Sequence, residues 1–406
     1  MTAMGAARTR PGAVPRYIPL LLVSVTSVVI LSTDLYTPSL PHLPAYFGTD
    51  VATVQLTMSL NVAAFALGQL LLGPLSDRVG RRPVLVVALA AFVLTAVASA
   101  LAPTIDSLIA ARTLMGLAAC AEAALGYAII NDLYDEQDSA RVLAAYGMAI
   151  AITPALGPII GGYVHIWFGW RANFVLLAAL AGLVTALIAR FLPETLAARD
   201  LHALAPRRFV GGYGSLLANR GFMGPTLASG LPMAGLFAFI TEGPFLMIDR
   251  LGVATEDYGL YYAFMIGAFF LSSLTANRLL RRVAVDALLR TGLAIQAAAG
   301  AALVAVVAAG LLSSWALILV VSVAIFGLGW VMATAPVRAF AAARGRGGGQ
   351  AAAMLGFLQM AGGALGAQLV SLFHDGTDIP FTGVFTGSVV LAIAAHLLTR
   401  AAQPIR

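Results

Sequence analysis

Apolar and polar positions along this chain fall into long blocks. Twelve apolar segments stand out, near residues 17–36, 51–72, 83–102, 107–131, 140–164, 171–191, 221–246, 257–276, 285–311, 314–336, 351–373 and 381–399. A helix needs about 20 apolar residues to cross the hydrocarbon of a bilayer, and these segments have that length. They are rich in Leu, Ala and Gly and lack the alternation of barrel strands, so they predict helices. The longest polar break follows the sixth segment. The pattern therefore predicts an all-α integral membrane protein of 12 transmembrane helices in two six-helix halves. The halves are residues 1–196 and 221–406, joined by a central cytoplasmic loop at 197–220.

Composition and charge agree with that class. The chain is 60% hydrophobic and only 10% charged over 406 residues, against about 25% charged in a soluble domain. All of its basic residues are arginine, 24 in number. With the amino terminus inside, 21 of these 24 lie in cytoplasmic segments. Arg171 and Arg250 fall outside, and Arg112 falls within a span. This asymmetry predicts cytoplasmic termini at both ends. Topology accounts for the net charge of +6, so we expect no nucleic-acid partner, and the basic face suits anionic membrane lipids. Arg8, Arg10 and Arg16 before the first apolar run resemble a signal peptide, but the run is too long for a signal core; it reads as a retained first helix. Cys120 stands alone, so no intrachain disulfide is available, and it reads as a small buried filler.

The polar island Gly73-Pro-Leu-Ser-Asp-Arg-Val-Gly-Arg-Arg82 joins the second and third segments. It predicts a tight cytoplasmic hairpin, with Gly73 and Gly80 allowing a sharp turn and Asp77 accepting bonds from a helix N-terminus or from Arg78, Arg81 or Arg82. A shift of 200 residues finds a faded copy, Asn277-Arg278-Leu-Leu-Arg281-Arg282. In it the acid has become Asn and the second glycine Leu.

This island resembles the signature of the major facilitator superfamily, G-x-L-x-D-R-x-G-R-R, between that family's second and third helices. The resemblance implies two pseudo-symmetric halves, with a substrate site between them at mid-membrane. The segment Ser32-Thr-Asp34-Leu-Tyr-Thr-Pro38 resembles the first helix of the twelve-helix drug:proton antiporters, particularly the bicyclomycin/chloramphenicol resistance subfamily. Ala111-Arg112-Thr-Leu-Met-Gly116 resembles that family's second motif, with Met115 where glutamine is usual. Thr153-Pro-Ala-Leu-Gly157-Pro158-Ile-Ile-Gly161-Gly162 resembles its antiporter motif, with Thr153 in place of the first glycine. Trp170-Arg171-x-x-Phe174 and Leu192-Pro-Glu-Thr195 match as well.

An ionisable residue inside a span costs at least about 2.5 kcal/mol, so each is a functional candidate. Pro38 frees the carbonyl of Asp34 and opens the helix beside the carboxyl; in the resembling family this acid takes part in proton and substrate binding. Arg112 comes to about the depth of Asp34 and is expected to share in proton coupling, shifting a nearby acid's affinity for protons as the bundle moves. Many multidrug members carry a second acid two turns before that Asp, where this chain has Thr26. Glu122 is expected to supply the missing carboxylate, although it points about 80° away from Arg112 on an ideal helix. Glu242, near the outer end of the seventh helix, reads as interfacial. Helical position and resemblance assign a cavity lined by Asp34, Met58, Tyr127, Leu236, Phe239 and Phe357.

There is no phosphate-binding loop, the five histidines lack metal spacing, and no nucleophile–base pair appears. We therefore expect no enzyme activity, no metal and no cofactor. The expected activity is proton-coupled export of small amphipathic drugs, such as phenicols, by a monomer in a bacterial inner membrane. Its partners would be the small-molecule substrate, protons and lipid. The alternatives are an exporter of sugars or amino acids, and a membrane sensor of the same fold that does not transport.

Overall fold

A computed structural model describes residue 15 and residues 17–134, 136–343 and 348–401. The arginines at 8, 10 and 16 and most of the glycine-rich stretch 345–349 lie outside the described residues. No strand occurs among the described residues. The helices are α1 (Tyr17–Asp34), α2 (Leu43–Phe47), α3 (Val51–Val79), α4 (Arg81–Leu101), α5 (Ile105–Leu133), α6 (Glu136–Phe168) and α7 (Trp170–Phe191). They continue as α8 (Pro206–Leu217), α9 (Arg220–Pro244), α10 (Thr255–Leu279), α11 (Val285–Ala308), α12 (Ser314–Ala342), α13 (Gly348–Leu372) and α14 (Ile379–Ala401). All but α8 belong to segments long and apolar enough to cross a membrane, twelve in all among the described residues, the first running from Tyr17 through α2 to Phe47. The apolar pattern runs outward as well as inward. Leu94 and Val87 are about 70% exposed, as expected of a face solvated by acyl chains.

The polar island is not the loop that its composition suggests. Helix α3 continues through Gly73, Pro74 and Asp77 to Val79, and α4 begins at Arg81. The whole turn is Gly80, whose φ of 125° and ψ of 149° suit glycine alone. Gly73 makes no turn; it is an ordinary helical residue with open space around it. The central stretch also holds more structure than a loop. The short helix α8 packs Tyr213 and Leu216 against Leu70, Phe222 and Met354, and the Tyr213 hydroxyl donates to the carbonyl of Leu70.

The pole at Gly80 is tied by charge. Arg81 pairs with Asp77 at 2.6 Å and with Asp132 of α5 at 3.2 Å. The Arg81 amide donates to Glu194 Oε1, which also accepts from the amides of Thr195 and Leu196. Arg82 donates to the carbonyl of Ala189 on α7 at 2.6 Å, whereas Arg78 is exposed. Four helix ends therefore meet in one cluster, and Asp77 finds its partner in Arg81.

At the opposite pole the first six crossing helices meet the last six. Ser59 donates to Gln368 at 2.8 Å, and Ser371 donates to the carbonyl of Ala52 at 2.8 Å. His42 and Thr255 lie 3.2 Å apart. Small residues let α6 and α10 touch here. A Cβ at Gly259 would stand 2.5 Å from the Ile159 nitrogen, and one at Gly162 2.9 Å from the Thr255 carbonyl.

A side chain at position 80 should be costly. Its Cβ would meet Glu194 Oε2 at 2.4 Å, and the backbone there disfavours L residues by about 1–3 kcal/mol. Gly80→Ala is expected to lower stability in thermal unfolding in micelles by about that amount, and Gly73→Ala to leave it unchanged or raised.

Candidate functional site

The site grows from the point where α1 stops inside the membrane. Helix α1 ends at Asp34, and Thr37–His42 continues as a 3-10 turn with Pro38 near its start. An ended helix leaves carbonyls over, and hydrocarbon offers them nothing. The Thr37 hydroxyl donates to the carbonyl of Asp34 at 2.9 Å. Arg112 Nη1 donates to the carbonyl of Ser32 at 2.6 Å. The guanidinium is fully buried and lies over the rings of Tyr36 and Phe174, at 5.1 and 5.9 Å from their centroids. The sulfur of Met115 lies 3.4 Å from Nη1 and that of Met58 3.5 Å from Nη2. So Met115, which replaces the usual glutamine, still faces the arginine. The described bonds of this guanidinium run to a carbonyl and two sulfurs, with no carboxylate among them. A cation at a helix C-terminus is favoured by the helix dipole, which here accounts for much of what the arginine does.

Asp34 is itself buried, on the surface that α6 crosses. A Cβ at Gly157 would stand 2.4 Å from Asp34 Cβ, and one at Gly161 would stand 2.0 Å from the Leu35 carbonyl. The antiporter-motif glycines thus seat α6 directly on the broken end of α1, with Pro158 between them in the helix. Gly162 turns to the other side, toward Thr255 of α10. Across the seam, Tyr258 and Tyr262 of α10 lie within electrostatic reach of Asp34.

Glu122 forms a second centre. The Thr26 hydroxyl donates to Glu122 Oε1 at 2.5 Å, and the Tyr146 hydroxyl donates to the same oxygen. The side chain of α5 therefore reaches the position on α1 where the resembling family carries its extra acid. The Tyr146 ring packs edge-on against Tyr127 at 5.3 Å, and Tyr127 remains 49% exposed. The carboxylate consequently lies one ring away from open space. Of the other residues assigned to a cavity, Leu236 and Phe357 are half-buried. Met58 and Phe239 are packed away from open space: Met58 by Arg112, Phe239 by Tyr262 and Phe381 at 6.4 and 6.1 Å.

Glu242 departs from its expected interfacial setting. It is only 3% exposed. Gln55 Nε2 donates to its Oε2 at 2.5 Å, and His374 Nδ1 lies 3.1 Å from its Oε1. Gln55 and His374 carry no motif, and their partner lies far off in sequence. The one sequence signal was an ionisable residue in an apolar helix, which marked Glu242 alone.

Comparison with known proteins places these features. The Major Facilitator Superfamily profile matches residues 22–367. The multidrug transporter MdfA of Yersinia pestis bv. Antiqua (strain Angola) is 33% identical over 284 residues, covering 70% of this chain and 69% of that protein. A chloramphenicol resistance protein of Pseudomonas aeruginosa is 32% identical over 295 residues, covering 71% and 67%. Among solved structures, the peptide transporter POT in complex with sulfate superposes with a TM-score of 0.75 at 14% identity, over 97% of this chain and 95% of that one. An inward-facing, unoccupied bacterial homologue of the lysosomal transporter Spinster gives 0.70 at 15%, over 98% and 96%; at these identities both show the fold alone. On the profile match and these relatives, the chain is a member of the major facilitator superfamily, in its multidrug transporter branch.

Proposed function

We propose that the chain is a proton-coupled antiporter that exports small amphipathic drugs, phenicols among them, from a bacterial cytoplasm. The observation that carries this reading is a pair of buried carboxylates, Asp34 and Glu122, whose described surroundings supply hydroxyls and rings but no pairing arginine. A buried carboxylate without a cation is costly while ionised and cheap once protonated. It therefore takes up either a proton or the charge and dipole of a substrate. That competition couples the two. Two hydroxyls converge on Glu122 Oε1, which suits the ionised group. A proton there turns one of them from donor to acceptor and rearranges the Tyr146–Tyr127 wall. Substrate enters between the halves, against Tyr127, Leu236 and Phe357, with Met58 and Phe239 exposed as the seam moves. The halves rock, a proton from outside neutralises a carboxylate, and substrate leaves.

In this reading the Gly80 pole is cytoplasmic, as the arginine asymmetry requires. Both termini then lie in the cytoplasm, residues 1–196 and 221–406 are the rocking halves, and 197–220 tethers them. The protein acts as a monomer in the inner membrane, with lipid as its solvent.

Asp34→Asn is expected to reduce proton-driven uptake into inverted vesicles to background while leaving insertion and folding intact; uptake at the wild-type rate refutes the role. Glu122→Gln, at equal occupancy in weakly buffered solution, is expected to release fewer protons on substrate addition and to lose any preference for cationic over neutral compounds. Unchanged release would assign the coupling to Asp34 alone. Asp77→Asn removes the partner that Arg81 holds at 2.6 Å, far from either carboxylate. Turnover should fall several-fold with little change in the substrate dissociation constant, and a loss seen mainly in binding would show that the cluster does not act as a latch.

A further inference from the structure

The seam at the pole opposite Gly80 is closed by several hydrogen bonds, and one of them differs in kind. Ser59–Gln368 and Ser371–Ala52 are bonds between neutral groups. Gln55 on α3 instead donates to a carboxylate, Glu242 on α9. Of the hydrogen bonds described across this seam, it is the one made by a carboxylate. A charge-assisted bond is shorter and about twice as strong as a neutral one, but only while the charge is present and compensated.

The compensation comes from His374, in the turn after α13. Its Nδ1 lies 3.1 and 3.3 Å from the two Glu242 oxygens, and its side chain is partly exposed at this pole. Phe245 covers one side of the ring at 6.3 Å. The other charged groups facing the imidazole are Asp50 at the start of α3 and Asp375 in its own turn, both carboxylates. Nearby, Arg250 and Asp378 pair with each other at 2.9 Å. Gln55 Oε1 is buried without a hydrogen-bond partner among the described residues. The amide has thus been oriented entirely toward the Glu242 carboxylate, at the expense of its own oxygen.

We propose that Glu242, His374 and Gln55 form an outer proton-binding latch, in which one proton on His374 holds the Glu242 carboxylate in place to close the seam through Gln55. This rests on the outward orientation of this pole given above. The proton is exchanged with the outside and does not cross. With His374 charged, the buried carboxylate is paired and free to accept from Gln55. With His374 neutral, Glu242 is a buried anion without a counter-charge, and that arrangement is costly enough to favour hydration, and so opening.

The sign follows from linkage. The hydrogen bond to Glu242 raises the affinity of His374 for a proton above its ordinary value of 6.5, partial burial opposes this, and the charges of Glu242, Asp375 and Asp50 add to it. The seam-closed state therefore binds the proton more tightly than an open state with a solvated His374. Its stabilisation is fully present below about 6.5, the open-state value, and is lost as pH rises through the higher closed-state value. External acid would favour closing the outer seam, which is the return stroke of an exporter.

The test reads the seam rather than transport, so its failure is separable from failure of the antiport reading. Spin labels at Ala45→Cys and Ile379→Cys, both exposed at this pole, are placed in a full-length Cys120→Ala background in lipid nanodiscs that also carries Asp34→Asn and Glu122→Gln, so that neither inner carboxyl contributes to the pH response. The distance distribution is recorded from pH 5.5 to pH 8. The open-to-closed ratio should rise with pH, and Gln55→Leu should raise it at pH 5.5 by roughly tenfold, the size of one hydrogen bond to a charged group. His374→Gln should abolish the pH response, and Glu242→Gln should do the same if the first variant fails to fold. His42→Gln, at the neighbouring His42–Thr255 contact, should leave the response in place. A response that survives in His374→Gln and Glu242→Gln, or disappears in His42→Gln, overturns the latch. So does a Gln55→Leu variant with the wild-type ratio.

Discussion

A helix that ends in an apolar protein interior must hand its last carbonyls to someone, and α1 ends so at the buried Asp34. Arg112 takes one carbonyl and Thr37 another. Much of the first six helices is arranged around that obligation. Arg112 can stay charged in the interior because the broken end of α1 presents the negative pole of a helix to it, while Tyr36 and Phe174 offer their faces. Asn61 in turn donates to the carbonyl of Arg112 itself at 2.6 Å, drawing α3 to α5. Gly116 allows that approach, since a Cβ there would stand 2.0 Å from the Asn61 carbonyl. The arginine thereby acts as a structural cap on α1, which leaves Asp34 and Glu122 without a guanidinium partner among the described residues.

The glycines of the antiporter motif gain a definite meaning from the same break. Gly157 and Gly161 are the two positions where α6 lies on Asp34 and Leu35 with no room for a side chain. Any shift of α6 is felt at Asp34, and any change of charge or shape at Asp34 is felt along α6. Because α6 also meets α10 across the seam through Gly162 and Gly259, the broken helix end is two contacts away from the other set of six helices.

Much of this was legible in the sequence, and the parts that were not share a cause. Segment length and composition carry the crossing helices, because one span is a local property. The candidates Asp34, Arg112 and Glu122 were visible for the same reason: a charged letter in an apolar run needs no knowledge of its neighbours. Composition misled where it was used for conformation. The polar run from Gly73 reads as a loop, yet α3 continues through it, since a helix that leaves the membrane can remain a helix with polar residues on it. The environment of Glu242 was illegible because its partners, Gln55 and His374, lie far away in sequence on other elements. Likewise, the replacement at Thr26 pointed to a missing acid, but only packing shows the hydroxyl of Thr26 on the carboxylate of Glu122.

The cluster at Gly80 has a mechanical consequence. Arg81 and Arg82 fasten the ends of α3, α4 and α5 and the end of α7 to one another through two side chains and a carboxylate-bound amide. A body clamped at one end in this way has few soft internal modes, and a force applied at the far pole is transmitted as torque instead of being absorbed as bending. A load applied at the far pole can then turn the four fastened helices as one body. The stiffness of that clamp sets how much of the binding energy arrives as rotation.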